Sequence, residues 1–148
     1  MNEPLLVGHT LETVKYRVYP DTPMSEVVDL MVRRGVRALP VVGEQYEVLG
    51  IITTGDALRE VLRDGAVEEP GGEVRDGTRR ARDVMTRAVL CVSETQPLAD
   101  AARMMANRKV EQLPVVRDGE LVGLITRDAI LHALHGESAD HREERNDA

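Results

Sequence analysis

Few residues in this 148-residue chain have the types and spacing that chemistry requires. Thr53, Thr54, Gly55 and Asp56 put two hydroxyls, a glycine and a carboxylate in consecutive positions. Such a run suits the start of a helix, where Thr53 or Thr54 caps the first amides and Asp56 complements the helix dipole. A related run, Thr126-Arg127-Asp128-Ala129, holds its acid one position earlier. Cys91 sits among apolar neighbours with no base beside it in sequence, and reads as a small core residue. His132 and His135 share a helical face and would make at most a two-ligand metal site; a solvated face is the first reading. Arg79, Arg80 and Arg82 form a basic cluster that reads as a solvated lead-in, with reach to an anionic ligand or partner. There is no nucleophile–base pair, no metal-ligand cluster and no Walker-type loop, so the chain does not read as an enzyme.

Bulk properties narrow the classes further. The formal charge of −7 argues against nucleic-acid binding, which needs a basic face. No run approaches the ~18 apolar residues of a membrane span. Residues 1–10 lack the pattern of a signal peptide, and one cysteine forms no internal disulfide, so the expected location is cytoplasmic. Apolar residues make up 42% of the chain, but Phe and Trp are absent, so the interior must be aliphatic.

The elements that position these groups occur twice. Residues 36–56 and 110–129 each read as an apolar run around Leu-Pro-Val-Val, a polar loop, and a second run ending in the threonine motif. Pro40 and Pro114 are 74 residues apart, as are Pro23 and Pro97; Gly50 and Gly123 are 73 apart, so the second hairpin loop is one residue shorter. In the first copy, alternation predicts a strand over 16–19. Thr22 as N-cap and Pro23 as first residue open a helix carrying Met24, Val27, Val28 and Met31 inward, with Gly35 ending it. A hairpin of 38–42 and 48–53 follows, then a helix to about residue 62 with Ala57, Leu58 and Val61 inward. The second copy predicts a strand over 89–92, a helix over 97–108 with Leu98, Ala101, Ala102 and Met105 inward, a hairpin over 113–126 and a helix over 127–135. Residues 5–7 form a short strand or a packed arm. The expected division is a first repeat with its arm over 1–62, a linker over 63–80, a second repeat over 81–135 and a flexible polar tail over 136–148. The order is βαββα twice, a mixed α/β (α+β) fold of two lobes about a pseudo-twofold axis.

With the repeat laid out, residues 82–134, from Arg-Asp-Val-Met-Thr to Gly-Leu-Ile-Thr-Arg-Asp-Ala-Ile-Leu, resemble a CBS domain. Residues 9–62 resemble a more divergent one, with 9–12 in place of the usual Asp-Val-Met-Thr. The chain is thus similar to a CBS-domain pair, or Bateman module. The resemblance implies two clefts between the repeats for an adenosyl ligand (AMP, ADP, ATP or S-adenosylmethionine), with no catalytic cofactor. It also implies a homodimer and regulation of an unknown partner protein. It implies that Thr53, Gly55 and Asp56 hold a ribose in the first cleft, with Ile51, Val110 and Glu111 about the adenine, Val92 and Ser93 as a wall, and Lys109 in reach of phosphate. Lys109 reads equally as a surface lysine, and Glu111 opposes a polyphosphate. The second cleft would use Val18, Tyr19, Val36, Arg37, Thr126, Arg127 and Asp128. There Ala129 stands at the ribose position, and Asp128 is rotated about 100° away on the helix. Val36-Arg37-Ala38-Leu39-Pro40 resembles a family stretch whose arginine meets phosphate; Arg37 reads also as a half-exposed strand residue. One competent and one impaired cleft are expected. The competing expectation is a module that only dimerises and docks, with vestigial sites.

Overall fold

The computed structural model describes residues 4–63, 79–87, 90–108 and 110–146, with 137–146 in their backbone alone. In chain order the elements are β1 (Glu12–Thr13), α1 (Met24–Arg34), β2 (Ala38–Val42), β3 (Val48–Thr53) and α2 (Thr54–Arg63). Then come α3 (Ala81–Val84), β4 (Val92–Ser93), α4 (Leu98–Arg108), β5 (Gln112–Arg117), β6 (Glu120–Thr126) and α5 (Arg127–Asn146). This is a mixed α/β chain of two compact units. One spans Lys15–Val89, and the other joins Met1–Val14 to Leu90–Ala148.

Both hairpins form where β-branched runs meet polar turns, β2 with β3 and β5 with β6, each with a register irregularity at Val41/Val42 or Val115/Val116. In the second unit β4 adds in parallel and β1 antiparallel, giving the order β1-β6-β5-β4. In the Lys15–Val89 unit the outer strands shrink to single bridges, Val18 to Val41 and Thr86 to Ile51. The expected strand over 16–19 is therefore one residue of pairing. Two prolines explain this. Pro40 has no N–H to extend the ladder back from Val18, whose own amide donates to Pro40 O at 3.0 Å. Pro20 has none to extend it forward, as Glu94 N does in the second unit by donating to Val116 O at 3.3 Å. In the second unit the strand expected over 89–92 is β4, Val92–Ser93; Val89 lies outside the described residues.

Helix α1 buries Met24, Val27 and Met31 and ends at Gly35, whose φ of 64° is the left-handed conformation glycine favours. Its N-cap is Pro23, not Thr22. The Met24 amide donates to Arg79 O at 2.9 Å, which keeps Pro23 extended, and Thr22 Oγ1 accepts from Tyr19 N instead. In α2 Ala57 is buried as expected, but Leu58 is 61% exposed and Glu60 takes the second buried place. With Ala57 on the core, residue 58 is turned about 100° off that face. Glu60 is tolerated inside because Arg79 Nε lies 2.8 Å from its Oε1, a charge contact at poor hydrogen-bond angle. Helix α5 runs past residue 135, through Gly136, to Asn146. The expected flexible tail is thus helical over residues 136–146, where Glu, Ala and Arg are good helix formers.

The largest departure from the expected division concerns the leading segments. Val7 is fully buried in the core of the unit that holds Leu90–Ala148, and Ala81 is fully buried in the core of the Lys15–Val89 unit. The backbone bonds holding them match at the 74-residue offset. Leu98 N donates to Leu5 O (2.7 Å) as Met24 N does to Arg79 O; Val7 N donates to Gln96 O as Ala81 N does to Thr22 O (both 2.8 Å). Gly8 N donates to Glu94 O (2.8 Å) as Arg82 N does to Pro20 O (3.0 Å). The arm expected with the first repeat therefore completes the second, and residues 79–87 complete the first. Residues 64–78 lie outside the described residues, but their flanks, Arg63 and Arg79, belong to one unit. The segment expected to link the repeats thus starts and ends within one of them. The arginine cluster shares in this: besides the Arg79–Glu60 pair, Arg82 pairs with Asp21, and Arg80 donates to Asp21 O.

Each unit's core cluster holds nine buried residues among those described, and they correspond one to one. Val7, Val18, Met24, Val27 and Met31 answer to Ala81, Val92, Leu98, Ala101 and Met105, with the first and sixth members exchanged between units. Leu39, Val41, Ile52 and Ala57 answer to Leu113, Val115, Ile125 and Ile130.

The repeated glycine of each hairpin makes this exchange sterically possible. A Cβ on Gly123 would lie 2.5 Å from Leu11 Cδ1 and 2.7 Å from Glu12 O; one on Gly50 would lie 2.8 Å from Thr86 O. We therefore expect Gly123→Ala to cost about 1–3 kcal/mol by overpacking. In a chain this size that lowers the melting temperature by roughly 2–4 °C per kcal/mol. Gly136→Ala, with nothing within 4 Å of the added carbon, is the control and should melt no lower. Circular-dichroism melts of the two variants check this.

Candidate functional site

The threonine motif of the first copy stands at the β3–α2 junction. Ile51 is tied on both sides of its peptide to Thr86, with Ile51 N to Thr86 O at 3.1 Å and Thr86 N to Ile51 O at 2.9 Å. The chain then turns into α2 at Thr54, whose amide donates to Arg37 O at 3.0 Å. Thr53 and Asp56 cap each other. Asp56 Oδ2 accepts from Thr53 N (2.9 Å) and from Thr53 Oγ1 (3.0 Å), and Asp56 N donates back to Thr53 Oγ1 (3.3 Å). This is the reciprocal arrangement of a capping box, with aspartate at the third helical position. Asp56 Oδ1 pairs with Arg59, whose side chain is 73% exposed while that of Asp56 is 12% exposed. The carboxylate is therefore fixed in place, with its second oxygen held by the exposed side chain of Arg59. The solvated arginine end limits what this pair contributes. Gly55 beside it is not forced by sterics, because a Cβ there meets nothing closer than 3.6 Å.

The second copy keeps the frame and loses the carboxylate. Ala129 N donates to Thr126 Oγ1 at 3.1 Å, the bond that Asp56 N makes to Thr53. Arg127 N donates to Glu111 O at 3.1 Å, as Thr54 N does to Arg37 O. These bonds set Ala129 in the position of Asp56, and Asp128 on an exposed neighbouring face. Arg127 turns back: its Nε donates to Val110 O (3.0 Å), past the end of α4, and its Nη2 to Met105 O (3.4 Å), in the last turn of α4.

The other sequence-chosen residues separate by burial. Val18 and Val92 are core side chains, 4% and 0% exposed, and present only main chain to a ligand. Ser93 is half-buried, its hydroxyl taken up in the turn with Thr95. Val36 and Val110 are half-buried, Tyr19, Arg37 and Glu111 are exposed, and Lys109 lies outside the described residues. Cys91 is half-buried, and burial raises its thiol above the usual range. His132 and His135 are exposed, and no group of three metal-ligating side chains stands among the described residues. Met85 and Thr86, which touch Gly50 and Ile51, are absent from the residues that the sequence points to. The signal was present, since the offset that pairs Pro23 with Pro97 also pairs residue 12 with residue 86. No helix among the described residues is long and apolar enough to cross a membrane.

Comparison with known proteins gives one consistent result. The CBS domain family matches the chain twice, over residues 12–63 and 81–136. Inosine-5'-monophosphate dehydrogenase of Methanocaldococcus jannaschii is 30% identical over 130 residues, covering 86% of this chain and 23% of that enzyme. The chloroplastic CBS domain-containing protein CBSX1 of Arabidopsis thaliana is 31% identical over 135 residues, covering 78% of this chain and 57% of that protein. The chain thus spans a quarter to somewhat over half of these two relatives. A crystal structure of Arabidopsis CBSX2 in complex with AMP superposes with a TM-score of 0.72 at 26% identity, covering 90% of this chain and 98% of that one.

Proposed function

This chain belongs to the CBS-domain family, of which it carries two copies, and we propose that it is a regulatory module that senses an adenosyl ligand through the Thr53–Asp56 motif. The observation that carries this reading is the fixed, partly engaged carboxylate of Asp56 at the start of α2. An ionised carboxylate accepts from two vicinal ribose hydroxyls, and the helix start beside it favours a phosphate. Ribose would displace Arg59 from Oδ1 and leave the cap on Oδ2 intact. The complex of CBSX2 with AMP supports AMP as the first ligand to try. Ala129 in the second copy supports one strong site per chain. Titration calorimetry with AMP, ADP, ATP and S-adenosylmethionine, on wild type and Asp56 variants, tests the assignment.

A ligand that binds one conformation better than another shifts the population toward it, and a partner protein would read that shift. We also propose a homodimer. Leu58 and Leu62 lie one turn apart on α2 at 61% and 55% exposure, an apolar stripe that a second copy would cover. Leu58→Glu with Leu62→Glu should halve the mass seen by sedimentation. A monomeric wild type, or a variant of undiminished mass, removes this surface from consideration. The second reading, assembly without a ligand, is favoured by the internal engagement of both Asp56 oxygens. It requires that no adenosyl compound raise the melting temperature, which any ligand of the folded state would do by mass action.

A further inference from the structure

We propose that a groove along the outer side of α1, in the Lys15–Val89 unit, binds a small phosphate-bearing molecule at a site separate from the Thr53–Asp56 motif. The groove encloses about 450 Å³, within the range of small-molecule sites. Arg17, Arg33 and Arg34 line it against two carboxylates, Glu26 and Asp29, with Leu30 as part of its apolar wall. This leaves a positive excess on a chain whose formal charge is −7.

Arg17 is held in a fixed position. Its guanidinium carbon lies 4.5 Å from the centre of the Tyr46 ring, and its Nη2 donates to the Tyr46 hydroxyl. Its Nε is buried and has no acceptor among the described residues. A guanidinium has five N–H donors and no acceptor, and its planar fork matches phosphate oxygens, so Arg17 lining an open groove suits an anion. Arg34 lies over the Tyr16 ring at 5.7 Å, which steadies a second guanidinium. Only Arg33 of the three is neutralised within the groove, by Asp29 at 2.9 Å. Two aromatic-held guanidiniums thus line one groove. None of Thr53, Gly55 and Asp56 lines this groove, whereas Val18 and Tyr19 of the expected second cleft do; Val36, Arg37 and Thr126 of that cleft do not.

The test is titration calorimetry of the whole chain with pyrophosphate at low salt, with malonate as the carboxylate counterpart. Pyrophosphate should bind more tightly than malonate, and Arg17→Gln and Arg34→Gln should each weaken it tenfold or more. Should Arg17→Gln melt early through loss of the Tyr46 contact, Arg34→Gln decides alone, because Arg34 is exposed. Saturating adenosine, which carries a ribose and no phosphate, should leave pyrophosphate affinity unchanged. The proposal is overturned by a wild type that ignores pyrophosphate, by unweakened binding in Arg34→Gln, by malonate binding as tightly, or by displacement with adenosine. Failure of AMP to bind would touch the sensing reading and not this one.

Discussion

Asp56→Ala is expected to weaken AMP binding by roughly 10- to 100-fold, the loss that follows from about 1.5–3 kcal/mol of charge-assisted hydrogen bonding at 1.4 kcal/mol per tenfold. The variant also removes a helix cap, because Asp56 Oδ2 accepts from both the amide and the hydroxyl of Thr53. That costs stability of about 1 kcal/mol by itself, so a weaker isotherm alone would be ambiguous. Asp56→Asn separates the effects. Its amide oxygen keeps an acceptor for Thr53, while the charge that pairs with Arg59 and accepts from ribose hydroxyls is lost. The expected pattern is a near-normal melting temperature with weakened AMP in the asparagine variant, and both lowered in the alanine variant. If both variants bind AMP as wild type does, Asp56 is a capping acid and nothing more. Wild type should titrate with about one strong site per chain. Two equal sites would mean that the methyl of Ala129, standing where Asp56 makes its capping bond, does not impair the second copy.

How far the sequence foretold these elements depended on whether the deciding interaction was local. The hairpin strands Ala38–Val42 and Val48–Thr53 are bounded as expected, because alternation, β-branching and the flanking turn all act within a few residues. Gly35 ended α1 for the same kind of reason. Leu58, inward by helical period, faces outward, since a leucine one residue from the true core position satisfies the period nearly as well. The Thr53–Asp56 motif was visible from its residue types, but the engagement of Asp56 by Arg59 was not. Arg127 donates to the carbonyls of residues 105 and 110, an engagement that the sequence does not show because only the folded chain brings them to it. The Arg17–Tyr46 pair joins residues 29 apart and has no signature in local pattern at all. The exchange of leading segments is subtler. The 74-residue offset holds in the structure, but a repeat states which residues are equivalent and not which copy each one packs against.

That exchange yields the second large expected effect, on which fragments of the chain fold. A fragment of residues 15–87 should melt cooperatively by circular dichroism, whereas a fragment of residues 1–62, the repeat as its sequence delimits it, should not. The first contains all nine core positions of its unit, including Ala81. It also keeps the amide bonds Met24–Arg79, Ala81–Thr22 and Arg82–Pro20 and the Ile51–Thr86 pair. The second lacks every one of these and carries instead an arm whose partners are Glu94, Gln96, Leu98 and Gly123. At about 0.5–1.5 kcal/mol for each backbone bond, the five lost bonds amount to a large share of the 5–15 kcal/mol typical of a folded domain. The arm cannot readily substitute in its own repeat, because Val7 would enter the space of Ala81, and overpacking a tight core costs about 1–3 kcal/mol more. A single cooperative transition in monomeric 1–62 would show that the arm serves either copy. Equal melting of the two fragments would refute the exchange as a requirement for folding. Cooperative folding of 15–87 alone would make residues 79–87 part of the first repeat in energy as well as in geometry.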